Sequence, residues 1–193
     1  MVPADTQCLF AELPQMAGLL AYWDERRGGR DVPDRADIDP LTIDRQMIPH
    51  LTLYDLFDGG RRARLRLIGS ELSPSLGIAD PTGHFVEEFL QDPHLHYFTS
   101  IMVEVSQHRC PVFSIDRHTT FERGHLYANR LCLPLTRGGS DIAMSLGLTL
   151  FTPATRPFER RSNILDSSQA ACEQGERTEV ARYRIRECAL ERV

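Results

Sequence analysis

Lysine is missing from all 193 residues, and every one of the 22 cationic side chains is arginine. That absence excludes a pyridoxal or carbonyl Schiff base, a Walker-type phosphate loop, a kinase-type ATP lysine and a Ser-x-x-Lys acyl-transfer site, each of which needs the lysine amine. Gly-x-Ser-x-Gly, His-Glu-x-x-His and Gly-x-Gly-x-x-Gly are absent as well. Cysteine is sparse: Cys8, Cys110, Cys132, Cys172 and Cys188 are odd in number and far apart. Without a Cys-x-x-Cys or a paired Cys/His spacing they indicate neither a disulfide framework nor a zinc site. No apolar run approaches the roughly 18 residues of a membrane span. The N-terminus carries Asp5 and Glu12 where a signal peptide would need a basic and then an apolar stretch. A cytoplasmic protein with no membrane partner is the expectation. Positive charge is also the minority sign, with 27 acidic residues and a net charge of −5, so a nucleic-acid partner is not expected.

What is present is a hydrophobic fraction of 41%, enough to build a core without disulfides in a chain of one domain plus appendages. Leu13, Met16, Leu20 and Trp23 fall at i, i+3, i+7 and i+10, an amphipathic stripe that Gly28-Gly29 stops. Asp39-Pro40 reads as an N-cap with proline at the first helical position, predicting a short helix to about Ile48. Leu51 to Phe57 and Arg62 to Ile68 alternate on either side of Asp58-Gly59-Gly60, a strong hairpin signal. In the second segment Ala63, Leu65 and Leu67 share one side and Arg62, Arg64 and Arg66 the other, which predicts a wet face. Asp92-Pro93 opens a helix with Leu95, Phe98, Met102 and Val105 on one stripe, ending before Pro111. Three alternating segments follow, Val112 to Phe121, His125 to Leu135 and Ile142 to Phe151. Beyond Pro157 the chain turns charged, and only Val180, Tyr183 and Leu190 hint at a last helix, so this tail reads as a linker or a partner-dependent helix.

The resulting fold class is α+β: a five-stranded antiparallel sheet with helices on one face, preceded by an N-terminal amphipathic helix. The sheet and its helices enclose a candidate pocket. The polar residues assigned to it are Tyr127 and Asn129, which share a strand face with Leu131, Leu133 and Leu135. They either orient a ligand or satisfy neighbouring backbone groups. Met144 and Leu146 of the last strand and Phe98 and Met102 of the helix complete the expected lining. Tyr54, on the opposite parity from Leu51 and Leu53, is not expected to reach that space.

Three local sequences carry a resemblance. They are Trp23 with the following GGRDVPDRADIDP (28–40), RLRLIGSELSPSLGIADPTG (64–83), and the closing strands LCLPL and AMSLGLTLF. With the order of elements they resemble the PAS domain, in a bacterial family of short proteins that hold little more than one such domain. Arg66, Gly69, Gly77, Asp80, Thr82 and Gly83 fall where that family has its second strand, short helices and Gly-containing turn. The resemblance implies a curved sheet with helices on one face, often holding a small ligand and often dimerising through an N-terminal helix. It divides the chain into an N-terminal helical extension (1–30), a PAS-like domain (31–151) and the charged tail (152–193). It also implies a sensory or regulatory protein of signal transduction, not an enzyme, with a small-molecule ligand, a signalling-protein partner or both. A ligand-free adaptor and a small enzyme acting on an apolar substrate are the alternatives.

Trp23 beside Tyr22 and Leu19 widens the stripe beyond what one narrow helix face needs. A homodimer is therefore expected, with Leu13, Met16, Leu20 and Trp23 at its interface. No metal or other cofactor is assigned. His94 and His96 diverge by about 200° on a helix and cannot chelate one ion together. A haem axial ligand needs a single imidazole, but the ordinary solvent-facing or capping role is favoured over it. Adjacent Glu87 and Glu88 do not form a working carboxylate pair, being about 100° apart if helical. The run Arg61, Arg62, Arg64 and Arg66 could grip phosphate or a cyclic dinucleotide, yet a solvated row is the ordinary finding on an outer strand face.

Overall fold

Asp58, Gly59 and Gly60 all take positive φ, at 52°, 65° and 87°, and turn the chain back between β1 (Leu51–Phe57) and β2 (Arg62–Ile68). These strands begin and end where the alternation predicts. In the computed structural model, which describes residues 10, 12–72, 80–120, 124–153, 177–186 and 189–192, they open a seven-stranded sheet. The others are β3 (Val112–Thr120), β4 (Gly124–Leu135), β5 (Met144–Pro153), β6 (Arg177–Arg186) and β7 (Ala189–Arg192). The order is β2-β1-β5-β4-β3-β6-β7, and every neighbouring pair is antiparallel. Among the described residues two α-helices accompany it, α1 (Pro14–Arg27) and α2 (His94–His108). Gly28 ends α1 in the left-handed conformation, as the Gly28-Gly29 stop predicts.

The sheet therefore has seven strands among the described residues, where five were expected, because the described part of the tail beyond 176 is strand where a helix was expected. Tyr183 and Ile185 alternate with Arg182 and Arg184, a period of two that suits a strand. Tyr183 stacks on Phe113 with ring centroids 6.5 Å apart, and β6 adds to the free side of β3. Strands β6 and β7 of the tail thus belong to the same sheet as the rest of the domain. Gly77, Cys8, Cys172 and Cys188 lie outside the described residues, as does the stretch 154–176.

Helix α2 lies on one face, as the fold class expects, and the N-terminal helix α1 covers much of the other, where a wet side was expected, leaving the arginines of β2 part-exposed. Leu131, Leu133, Leu135, Leu146, Leu148 and Phe113 share one face by register and are all buried. Phe10, just ahead of α1, meets Phe113 edge-on at 4.9 Å, and Trp23 of α1 donates its indole N–H to the Pro134 carbonyl at 2.8 Å. This is the α1 face. On the opposite face Tyr54 meets Phe98 of α2 with centroids 5.0 Å apart. Gly60 sits so close to the Met102 carbonyl that any side chain there would collide with it.

The stripe of α1 is consequently interior. Leu13, Met16, Leu20 and Trp23 are each at most 4% exposed within a single chain, so the placement of these four at a dimer interface is corrected. An apolar sheet face demanded the same cover that a second chain would have supplied. Two local expectations also change. After Asp39 the chain makes one 3-10 turn, Pro40–Thr42, instead of a helix to Ile48, because Ile43 is already extended and the Asp44 side chain accepts from Gln46 N at 2.9 Å. In β2 a bulge at Arg66, which has no residue opposite it, moves Leu67 off the side of Ala63 and Leu65 and leaves it 44% exposed.

Asp34 ties the segment after α1 to the sheet. Its carboxylate accepts from Ala36 N at 3.0 Å, Gly138 N at 2.7 Å and the Thr136 hydroxyl at 3.0 Å. The backbone N–H groups of Ala36 and Gly138 hold its carboxyl below the usual carboxylate range. A depressed folded pKa gives stability that is present above the unfolded value and lost as pH falls through the folded one. Urea unfolding of Asp34→Ala at neutral pH should show a loss of about 1 kcal/mol, the ordinary cost of losing an N-cap side chain, and the gap from the parent protein should narrow in acid.

Candidate functional site

The α2 face differs from the α1 face in carrying charge. Val112, Ser114 and Asp116 of β3 lie on it beside Ala128, Arg130 and Cys132 of β4, with Ser114 opposite Arg130 and Asp116 opposite Ala128. Ser145, Gly147 and Thr149 of β5 continue it. Asp116 is fully buried, accepts from the Tyr97 hydroxyl of α2 and is ion-paired with Arg130. A carboxylate survives in such a place only when it is paired and hydrogen-bonded.

Strand β6 reaches the same helix from the other side. Arg182, itself buried, donates to the Ser100 hydroxyl at 2.8 Å and lies over the Tyr97 ring at 5.3 Å. Arg184 donates to Glu104 at 2.7 Å. Tyr97, Ser100 and Glu104 stand at i, i+3 and i+7, one face of α2, so β3 and β6 grip one stripe of the helix through polar groups, with Arg130 of β4 behind Asp116. On this face the buried hydroxyls of Ser114, opposite Arg130, and of Ser145, further along the sheet opposite Pro134 and Tyr54, have no hydrogen-bond partner among the described residues. A buried hydroxyl left unmade costs about 1–3 kcal/mol, so the face retains polar capacity for a further group.

The six residues expected to bind a ligand do not converge. Tyr127, Asn129, Met144 and Leu146 lie on the α1 face, whereas Phe98 and Met102 belong to α2 on the opposite side. Met144 and Leu146 are core packing, and the Asn129 amide donates to the Leu150 carbonyl at 3.3 Å and the Thr152 hydroxyl at 3.1 Å. Asn129 thus serves its neighbouring strand. Tyr54 is the aromatic that faces α2, by virtue of the very parity that argued against it. Sequence reasoning passed over Tyr97, Asp116, Arg130, Arg182 and Arg184. The available signal was a lone acid and a lone base, each breaking an apolar strand, in IDR (115–117) and NRL (129–131).

Other sequence candidates have structural employment. Glu87 pairs with Arg62 at 2.7 Å, and Glu88 accepts from Phe85 N at 2.9 Å. No group of three His, Cys, Asp or Glu side chains is placed to hold a metal among the described residues. A groove of about 580 Å³ runs beside the β4–β5 turn, lined by Arg30, Asp31, Arg109, Gly138 and Ser140 among others. Its arginines are engaged, Arg30 with Asp37 at 2.7 Å and Arg109 with the Ser140 carbonyl at 2.6 Å.

A family model described as PAS domain matches residues 12–150. The chain belongs to the PAS domain family. No curated protein matches it. The match runs from just ahead of α1 to β5, so the α1 cover lies within the span matched to the PAS domain. Strands β6 and β7 lie beyond it, and with them Arg182 and Arg184. This PAS domain thus has its α2 helix secured in part by residues outside the matched span. No helix among the described residues is long and apolar enough to cross a membrane.

Removing the central acid tests the grip. Asp116→Ala deprives the mostly buried Arg130 of this counter-charge, and urea unfolding should show a loss of about 3–5 kcal/mol, the range for breaking a buried pair. Tyr97→Phe, which deletes one donor, should cost about 1 kcal/mol. A loss below that for Asp116→Ala would remove the acid from the centre of the account.

Proposed function

We propose that this PAS domain is a cytoplasmic sensory or regulatory module of signal transduction, without catalytic activity, that responds to a small polar molecule held between α2 and the sheet. The observation carrying the reading is that two buried hydroxyls of the α2 face, Ser114 beside Arg130 of the grip and Ser145 further along the sheet beside Tyr54, have no hydrogen-bond partner among the described residues. A ligand that satisfied either hydroxyl would alter the spacing between α2 and the sheet. That change becomes a signal when the two arrangements differ in affinity for a partner. Strand β6 is the natural output, since Arg182 and Arg184 bind it to α2 while its backbone pairs with β3. A protein partner, or a second copy, would engage surfaces other than the buried stripe of α1. The buried thiols of Cys110 and Cys132 suit a reducing compartment.

Native mass spectrometry of protein taken from its own cells is the test. A co-purifying small molecule is expected with the parent chain and absent from one of the variants Ser114→Ala and Ser145→Ala. Each variant itself should be as stable as the parent or slightly more so, because it deletes a polar atom that has no partner. A bound mass retained by both Ser145→Ala and Ser114→Ala would move the ligand elsewhere. A chain that carries no mass, and whose thermal unfolding no small molecule shifts, would favour a ligand-free adaptor.

A further inference from the structure

On the α1 face, at the β2 edge of the sheet, three arginines close on a single buried acid. Asp55 of β1 is buried, and its Oδ2 accepts from Arg64 of β2 at 2.8 Å through Nη2 and 3.3 Å through Nε. Arg66, the unopposed residue of the bulge, approaches the same oxygen at 3.7 Å. Arg137, from the turn after β4, approaches the other oxygen at 3.4 Å. Only Arg64 is within an ordinary charge-assisted bond, for which about 2.7–2.9 Å is usual. Arg66 and Arg137 therefore keep most of their donors unspent, and their side chains are 45% and 56% exposed.

Three guanidinium charges against one carboxylate leave a local excess of two positive charges. Their mutual repulsion works against holding them within a few ångströms of one group, yet register and bulge fix two of them there. Arginine forks match the oxygens of a phosphate, and a rigid strand and a Gly-bounded turn hold these before any ligand arrives. The buried acid and Arg64 form the floor, while Arg66 and Arg137 form the open jaws.

We infer that Arg64, Arg66 and Arg137 form an anion site for the phosphate group of a small soluble molecule, a phosphate monoester or a diphosphate. This site is on the opposite face of the sheet from the Ser114 and Ser145 hydroxyls and is independent of any ligand they hold. It also gives the arginine run of β2 a use that a solvated row would not have.

Inorganic pyrophosphate is the probe, titrated calorimetrically into the full chain at constant ionic strength with chloride as the balancing salt. Saturable binding is expected. Arg66→Gln and Arg137→Gln should each weaken it about ten-fold, the effect of losing one charge-assisted contact. Both positions are half-exposed, so unchanged thermal unfolding in the absence of ligand should confirm that the variants fold. Ser145→Ala should bind pyrophosphate like the parent, which separates failure here from failure of the α2-face reading. Absence of saturable binding, or an affinity equal to the parent's in both arginine variants, overturns the assignment. Co-sedimentation with phosphatidic acid vesicles in the absence of pyrophosphate binding also overturns it, because the phosphate source would then be a lipid surface.

Discussion

A sheet that is apolar on one face and charged yet buried on the other cannot leave either side to water. The leucines of β4 and β5 on the α1 face would expose a continuous apolar surface, and α1 removes it. The α2 face carries Asp116, whose charge has to be met inside the protein, and Tyr97 and Arg130 meet it. The rest of the architecture follows from these two needs. Trp23 anchors α1 through its bond to the Pro134 carbonyl, and Asp34 then leads the chain away from the helix along the edge of the β4–β5 turn. With the N-terminal stripe used internally, the surfaces open to partners are the sheet's edges and the outer sides of the helices.

The two covers are held differently, and the difference bears on signalling. Apolar packing on the α1 face is non-directional, so small shifts change its energy gradually. The α2 face depends on hydrogen bonds and ion pairs with defined partners, which are either made or broken. Discrete alternatives of that kind suit a switch. The aromatic contact of Tyr54 with Phe98 and the close approach of Gly60 to Met102 hold the hairpin end of α2, whereas Ser100 and Glu104 hold the side toward β6. Movement of α2 is therefore felt at both edges of the five central strands.

Much of this was legible in the sequence, and the failures have a common cause. Alternation with Asp58-Gly59-Gly60 located β1 and β2, Gly28 located the end of α1, and alternating leucines located β5. Each of those signals is local. Periodicity says which residues share a face but not which element covers it, so Tyr127, Asn129, Met144 and Leu146 were grouped correctly with one another and wrongly with Phe98 and Met102. The arginines of β6 look like solvated charge until their partners Ser100 and Glu104, 82 and 80 positions away in the chain, are seen. Arg66 and Leu67 changed surroundings because of a bulge, which alternation cannot announce.

The central claim is that α2 is held against the sheet by a polar grip shared with β6. Residue-resolved amide hydrogen exchange on the Arg182→Ala/Arg184→Ala double variant tests it most directly. The account predicts that amides of α2 lose protection while those of β4 and β5 keep theirs. Equal loss throughout the domain, or no change in α2, would contradict it.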